Sequence, residues 1–172
     1  MTGNGNEAKP AMSEDDQLKA AWSQLTLVLS FFSRIDTKLS VVLGLNLGMF
    51  AVLTSRITKV EDLHLLLVLL LVACLLLLTL SLFHLYKGAF PDLKGGTNSL
   101  VYFGNIAKLS EPAFVGAYRA LSTTALVEDI HEQTWRNSKI LVGKFYALQK
   151  SYQWTLAAVV PWLISLALVS TK

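Results

Sequence analysis

"LHLLLVLLLVACLLLLTLSLFHLY", residues 63–86, holds no Lys, Arg, Asp or Glu. A charge-free apolar run of more than about 18 residues reads as a helix crossing a bilayer, where every backbone polar group must be satisfied within the segment. Leu recurs almost all round the helical period, leaving no polar face, which predicts a span that meets lipid on most sides. His64 and His84 stand near its two ends, about 30 Å apart at 1.5 Å per residue, too far to share a metal. Both fit interfacial positions. The lone cysteine, Cys74, lies inside this run, so an intrachain disulfide and a Cys-based metal site are excluded.

Two more spans follow outward from this one. "LSVVLGLNLGMFAVLTS", Leu39 to Ser55, is bracketed by Lys38 and Arg56. Gly44 and Gly48 form a G-x-x-x-G pair that admits close backbone approach, and Asn46 between them can hydrogen-bond a neighbouring helix. That contact is either packing inside one subunit or a contact between subunits. "YQWTLAAVVPWLISLALV", Tyr152 to Val169, has Tyr152 and Trp154 at one end, as interfacial aromatic belts do. Pro161 within it removes a backbone hydrogen bond and offers a kink.

Before the first span, Leu18, Trp22, Leu25, Leu29 and Phe32 recur at spacings of three and four. They form one apolar helix face that can lie on a bilayer or pack on another helix. Ser13 is its N-cap, followed by Glu14, Asp15 and Asp16, which suit the helix dipole. The first 17 residues lack the basic start and apolar core of a signal peptide, so insertion through the chain's own spans is expected. The organisation read from the sequence is a disordered tail 1–12, an amphipathic helix 13–37, a two-helix hairpin 38–86, a sensor-like insert 87–151 and a third span 152–170.

Charge orients these spans. Of fifteen Lys and Arg, twelve fall in residues 1–38 and 87–151, and only Arg56, Lys59 and Lys172 fall on the other side. The positive-inside rule therefore puts the N-terminus and the 87–151 insert in the cytoplasm. The net charge of +3 carries no Arg/Lys-rich run or zinc-finger spacing that would point to a nucleic-acid polymer.

In the insert, "SLVYFGNIAKLS", residues 99–110, is apolar and aromatic. SLVYF reads as a short strand or a buried helical turn, and Gly104-Asn105 as a turn. Leu100, Val101, Phe103 and Ile106 are expected to seat the insert on a long helix. Ser110 caps a helix with Glu111 and Pro112 in its first turn. From about residue 124, Val127, Ile130, Thr134, Leu141, Phe145 and Leu148 recur at near-heptad spacing with no breaker before the third span. One helix from about 124 to 169 is expected.

Catalytic chemistry is not indicated. Glu128, Asp129, His131 and Glu132 read as a solvated helix face, because "EDIHE" lacks the second His of a zinc helix. No phosphate loop, nucleophile elbow or kinase motif set occurs. Arg136, Lys139, Lys144 and Lys150 run toward the third span and read as lipid head-group contacts or as ligands for a phosphate-bearing molecule. Tyr102, Phe103, Trp135 and Tyr146 could stack on a base, and Asn105 could hydrogen-bond it. The candidate ligand-binding set is Arg136, Lys139, Lys144, Tyr102 and Asn105. The helix-packing set is Gly44, Asn46, Gly48 and Pro161. No metal site or cofactor is expected.

The order "RIDTKLSVVLGLNLG", a Leu-rich span, "SLVYFGNIAKLSEPAF" and "EDIHEQTWRNSKILVGKFYALQKSY" resembles the Pycsar transmembrane effectors over roughly residues 15–170. That resemblance implies an all-α membrane protein of three transmembrane helices, with a small, mainly helical cytoplasmic insert and a long helix continuing into the last span. It implies an anti-phage effector, activated by cyclic UMP or cyclic CMP from a partner pyrimidine cyclase, that impairs the inner membrane and causes abortive infection. It carries no residue-level ligand site. The chain lacks the β-roll phosphate cassette of ordinary cyclic-nucleotide domains, so a helical site is required, with a homo-oligomer as the expected assembly. The alternatives are an immune effector responding to a cyclic di- or oligonucleotide, and a ligand-free structural membrane protein.

Overall fold

The computed structural model describes residues 12–56, 65–90, 96 and 98–170. Residues 1–11, 57–64, 91–95, 97, 171 and 172, among them most of the tail expected over 1–12 and His64, lie outside the described residues. Five helices account for the described structure, with no strand among the described residues: α1 (Glu14–Arg56), α2 (Leu65–Ala89), α3 (Phe103–Ile106), α4 (Glu111–Arg119) and α5 (Thr123–Ser170). α1, α2 and α5 are each long and apolar enough to cross a membrane.

The helix starts follow local chemistry. At α1 the Ser13 hydroxyl accepts from the Asp16 amide at 3.2 Å and donates to the Asp16 carboxylate at 2.7 Å, with three acids in the first turn. At α5 the Ser122 hydroxyl accepts from the Ala125 amide. α4 starts at Ser110 with Pro112 in its first turn, but the Ser110 side chain makes no cap bond. α1 runs unbroken from the amphipathic stretch into the first apolar segment, and α5 runs unbroken through Pro161. Ser165 Oγ donates to the Pro161 carbonyl at 2.7 Å.

The chain forms two compact units. Unit 1 comprises Met1–Leu29 and Leu93–Asn137. Its core is Ala21 and Leu25 of α1 against Val127 and Ile130 of α5, with Leu18, Val101 and Leu126 packed on it. The buried face of α1 is rotated from the stripe expected from hydropathy. Ala21 is buried, whereas Trp22 and Leu29 are exposed. A small side chain on the contact face lets two helices approach closely, and a scan for large apolar residues passes over it. Val101 joins this core as expected, while Phe103 is 66% exposed and does not.

Unit 2 comprises Ser30–Asp92 and Ser138–Lys172. Here α1, α2 and α5 pack up-down-up. One apolar cluster joins Ile35, Leu39, Val42, Leu85 and Leu148; a second joins Met49, Leu53, Cys74, Leu78 and Ala158. Between the two on each helix lies a buried polar layer. Asn46 Nδ2 donates to Ser81 Oγ at 2.7 Å, Ser81 Oγ lies 2.8 Å from Thr155 Oγ1, and Thr155 Oγ1 donates to Asn46 Oδ1 at 2.9 Å. The ring closes if Ser81 donates to Thr155. Ser151 Oγ, 2.8 Å from Ser81 Oγ, can then donate to the second lone pair of that hydroxyl.

Asn46 therefore hydrogen-bonds within its own chain. Gly44 and Gly48 are exposed, with nothing within 4 Å of where a Cβ would stand. Ser81→Ala removes the acceptor of the Asn46 amide and is expected to lower stability by about 1–2 kcal/mol, since interhelical polar contacts in membranes are modest. Titration of detergent-purified protein with SDS reads this directly, and an unshifted midpoint would show that the layer contributes nothing to stability.

Candidate functional site

A cavity of about 480 Å³ opens in unit 2, walled by the end of α2 and by the part of α5 that precedes its apolar segment. α2 supplies His84 and Lys87, Phe90 follows it, and α5 supplies Lys139, Lys144 and Tyr146. The volume lies within the roughly 300–1,000 Å³ range of small-molecule sites. Lys87 sits in the last turn of α2, where the helix dipole favours a cation. At the next residue the helices come into close contact. A Cβ on Gly88 would stand 3.0 Å from Ala147 Cβ and 3.3 Å from Leu39 Cδ2. On α5, Lys139 and Gly143 are four residues apart and share a face. Gly143 has nothing within 4 Å of its Cβ position, which keeps that wall open.

Three lysines and a histidine line the cavity, and no carboxylate is among its described lining residues. Lys144 is paired with a carboxylate. Its Nζ lies 2.7 Å from Asp36 Oδ1 and 5.9 Å from the Phe32 ring centroid. Its side chain is 10% exposed, against 53% for Asp36. Periodicity put Phe145 on the buried side of α5, but Phe145 is exposed and its neighbour Lys144 is buried. The apolar stem of a lysine packs as a hydrophobe while its ammonium reaches a partner. The Lys87 ammonium lies 4.6 Å from the Phe83 ring centroid.

In unit 1 a second group of residues gathers around Gly96. Asn105 Nδ2 donates to the Gly96 carbonyl, and a Cβ on Gly96 would stand 3.2 Å from the Arg136 guanidinium. Arg136 also pairs with Glu132 at 3.7 Å, one turn back on α5. Tyr102 lies with its ring 4.8 Å from that of Phe103 and against Gly104, where a Cβ would meet it at 2.5 Å. The segment is pinned from α5: Asp129 Oδ2 accepts from the Leu100 amide at 2.8 Å and from the Val101 amide at 3.2 Å. The Ser99 hydroxyl accepts from the Val101 and Tyr102 amides, so SLVYF leads into the short helix α3.

Of the five residues predicted as a ligand set, Lys139 and Lys144 thus lie in unit 2 on the cavity, and Arg136, Tyr102 and Asn105 lie in unit 1 around Gly96 and Gly104. Sequence reasoning passed over three contributors. Lys87 had a readable signal, the first charge after the 63–86 run. Asp36 entered only within the string "RIDTKLSVVLGLNLG" that carries the family resemblance, and Asp129 was assigned to a solvated face. Among the described residues no group of three or more His, Cys, Asp or Glu could hold a metal ion.

A family model described as the Pycsar effector protein domain, PycTM, matches residues 20–171. The chain belongs to the Pycsar effector family. A relative, the Pycsar effector protein GmPycTM of Gulbenkiania mobilis, is 25% identical over 182 aligned residues, which take in 89% of this chain and 93% of that protein. No solved structure matches. The family match takes in both units, hence both the Gly96 group and the cavity. Membership makes this chain an anti-phage membrane effector, with three helices able to span the bilayer.

Proposed function

We propose that this Pycsar effector is switched on by a cyclic pyrimidine mononucleotide, cUMP or cCMP, made by a partner cyclase, and that it then impairs the inner membrane to cause abortive infection. The observation that carries the reading is the family match over residues 20–171 in a chain with three helices of membrane-spanning length. The charge asymmetry supports an orientation with the N-terminus and residues 87–151 in the cytoplasm, where such a nucleotide is made. A homo-oligomer belongs to the same reading, and no enzymatic step does. For a ligand to switch the protein it must bind two states unequally, because equal affinity shifts no population.

Proteoliposomes loaded with a self-quenched dye test this. Addition of cUMP or cCMP is expected to release dye, and addition of cAMP or cGMP is not. Release on a cyclic dinucleotide alone would move the ligand to the cyclic oligonucleotide class. Silence to every nucleotide would overturn activation by a nucleotide.

A further inference from the structure

We propose that Arg34 and Lys38 of α1, Lys87 of α2 and Lys150 of α5 form a collar around the bundle of unit 2 that gathers anionic phospholipid at one face of the bilayer. Two cross-sections of the bundle fix the level of these side chains. In the first, Leu39 and Ala147 close on Gly88. In the second, Asn46, Ser81 and Thr155 join through hydrogen bonds. Seven residues separate the two on α1, seven on α2 and eight on α5. That is about 10–12 Å on every helix at 1.5 Å per residue, so both lie square across the bundle. Lys38 and Lys87 are each one residue from the first cross-section, Lys150 three and Arg34 five. The backbone of all four thus stands within about 8 Å of one level.

That level is the edge of the hydrocarbon. The charge-free part of α2, Leu65 to Tyr86, has 22 residues. Its length, about 33 Å, matches the roughly 30 Å core of a bilayer, and Lys87 is the residue that ends it. Beyond the Asn46 layer, toward the other face, the described residues of unit 2 carry one charge, Arg56.

The collar keeps its charge. Asp36 is the one carboxylate among the described residues of unit 2, and it pairs with Lys144 at 2.7 Å. None of the four collar cations has a carboxylate partner among the described residues. Three of them lie instead over a ring about one turn away on their own helix. Arg34 is 5.4 Å from the Phe31 centroid, Lys87 4.6 Å from Phe83 and Lys150 5.7 Å from Tyr146. Lys150 also donates to Gln153 at 3.2 Å. A ring attracts the cation and narrows its rotamers without neutralising it, so less freedom is lost when a phosphate is bound. Aromatic rings also suit the headgroup level.

The partner follows from this charge. An anionic phospholipid brings a phosphate whose charge nothing else in its headgroup offsets, and basic side chains at a membrane edge attract it. Phosphatidylcholine carries its own ammonium beside the phosphate and gains less. The positive-inside bias acts on the direction in which spans insert, whereas sorting of lipid around the folded bundle is a separate equilibrium property. It requires no nucleotide.

The full chain is reconstituted into vesicles of equal parts phosphatidylglycerol and phosphatidylcholine and extracted in mild detergent, and the lipid that stays with it is counted by mass spectrometry. The wild type is expected to hold phosphatidylglycerol in about threefold excess or more. Arg34→Gln, Lys38→Gln, Lys87→Gln and Lys150→Gln combined return the ratio to that of the vesicles, Lys87→Gln alone lowers it in part, and Arg56→Gln leaves it unchanged. In about 1 M salt, where screening acts within about 3 Å, the wild-type excess disappears. A wild type that holds the two lipids in the vesicle ratio overturns the collar. So does a combined variant with the wild-type excess, or a loss in Arg56→Gln equal to that in Lys87→Gln, which would assign the effect to net charge. Should the combined variant fail to assemble, the four single variants and the salt titration decide, and an excess unmoved by all of them overturns the collar.

Discussion

Gly88→Val will lower the stability of unit 2 by about 3 kcal/mol, the upper end of what overpacking a tight contact costs. The position decides this. A Cβ there already stands 3.0 Å from Ala147 Cβ, and that atom is fixed to the α5 backbone and cannot rotate away. Leu39, at 3.3 and 3.4 Å, can yield by changing rotamer. A single methyl already meets that fixed atom, and the helix propensity that Gly88→Ala regains, about 1 kcal/mol, offsets part of the clash. Two further methyls overlap both neighbours and force α2 and α5 apart beside Lys87. SDS unfolding of the purified protein should show Gly88→Ala between wild type and Gly88→Val, with the valine variant lowest. Equal midpoints for the valine variant and the wild type would mean the helices have room to move there.

Asp129→Ala is expected to release residues 98–106 from α5. Two backbone amides, Leu100 and Val101, lose a charged acceptor. Hydrogen bonds to charged groups contribute about 1.5–3 kcal/mol each, and partial burial puts the combined loss at about 2–4 kcal/mol. That loss is local. Amide hydrogen exchange in the 98–106 segment should accelerate by about a hundredfold, while the apolar segments of α1, α2 and α5 keep their protection. Asp129→Asn retains one carbonyl acceptor and should fall between. Unchanged exchange in Asp129→Ala would show that the Ser99 hydroxyl, which accepts from Val101 and Tyr102, suffices to hold the turn.

These two positions also mark where reading the sequence succeeded and where it failed. The charge-free run and the unbroken α5 were legible, because hydropathy over a long window and the absence of a breaker are local properties of the chain. So was the Ser13 cap, which needs only its own next three residues. Asp129 was not legible. An acid in "EDIHE" looks solvated from its neighbours, and its real partners lie 28 and 29 residues away. Lys144 was placed with a basic stripe, yet it is buried and paired across 108 residues with Asp36. Ser81, one small residue in a run of leucines, drew no reading from the sequence, and its hydroxyl joins all three apolar helices. Arg136 and Lys139, three residues apart on one helix, read as members of one patch. They lie in different units, Arg136 beside Gly96 and Lys139 on the cavity.

By itself the sequence determined the helical class, the three apolar segments, the charge asymmetry between their ends and the family resemblance. All of these depend on residue type and spacing along a single segment, which is where the hydrophobic effect and backbone satisfaction act. Only the tertiary structure decided which polar groups meet. It sent Asn46 inward to Ser81 and Thr155, gave Asp36 to Lys144, and brought Lys87 of α2 to the same cavity as Lys139 of α5. The physical reason is that a buried hydrogen bond or ion pair is a property of two segments and of the rotation of each helix about its axis. A small residue at a contact, such as Gly88 or Ala21, sets how closely those helices approach. Neither quantity is written in the hydropathy of one strip of chain.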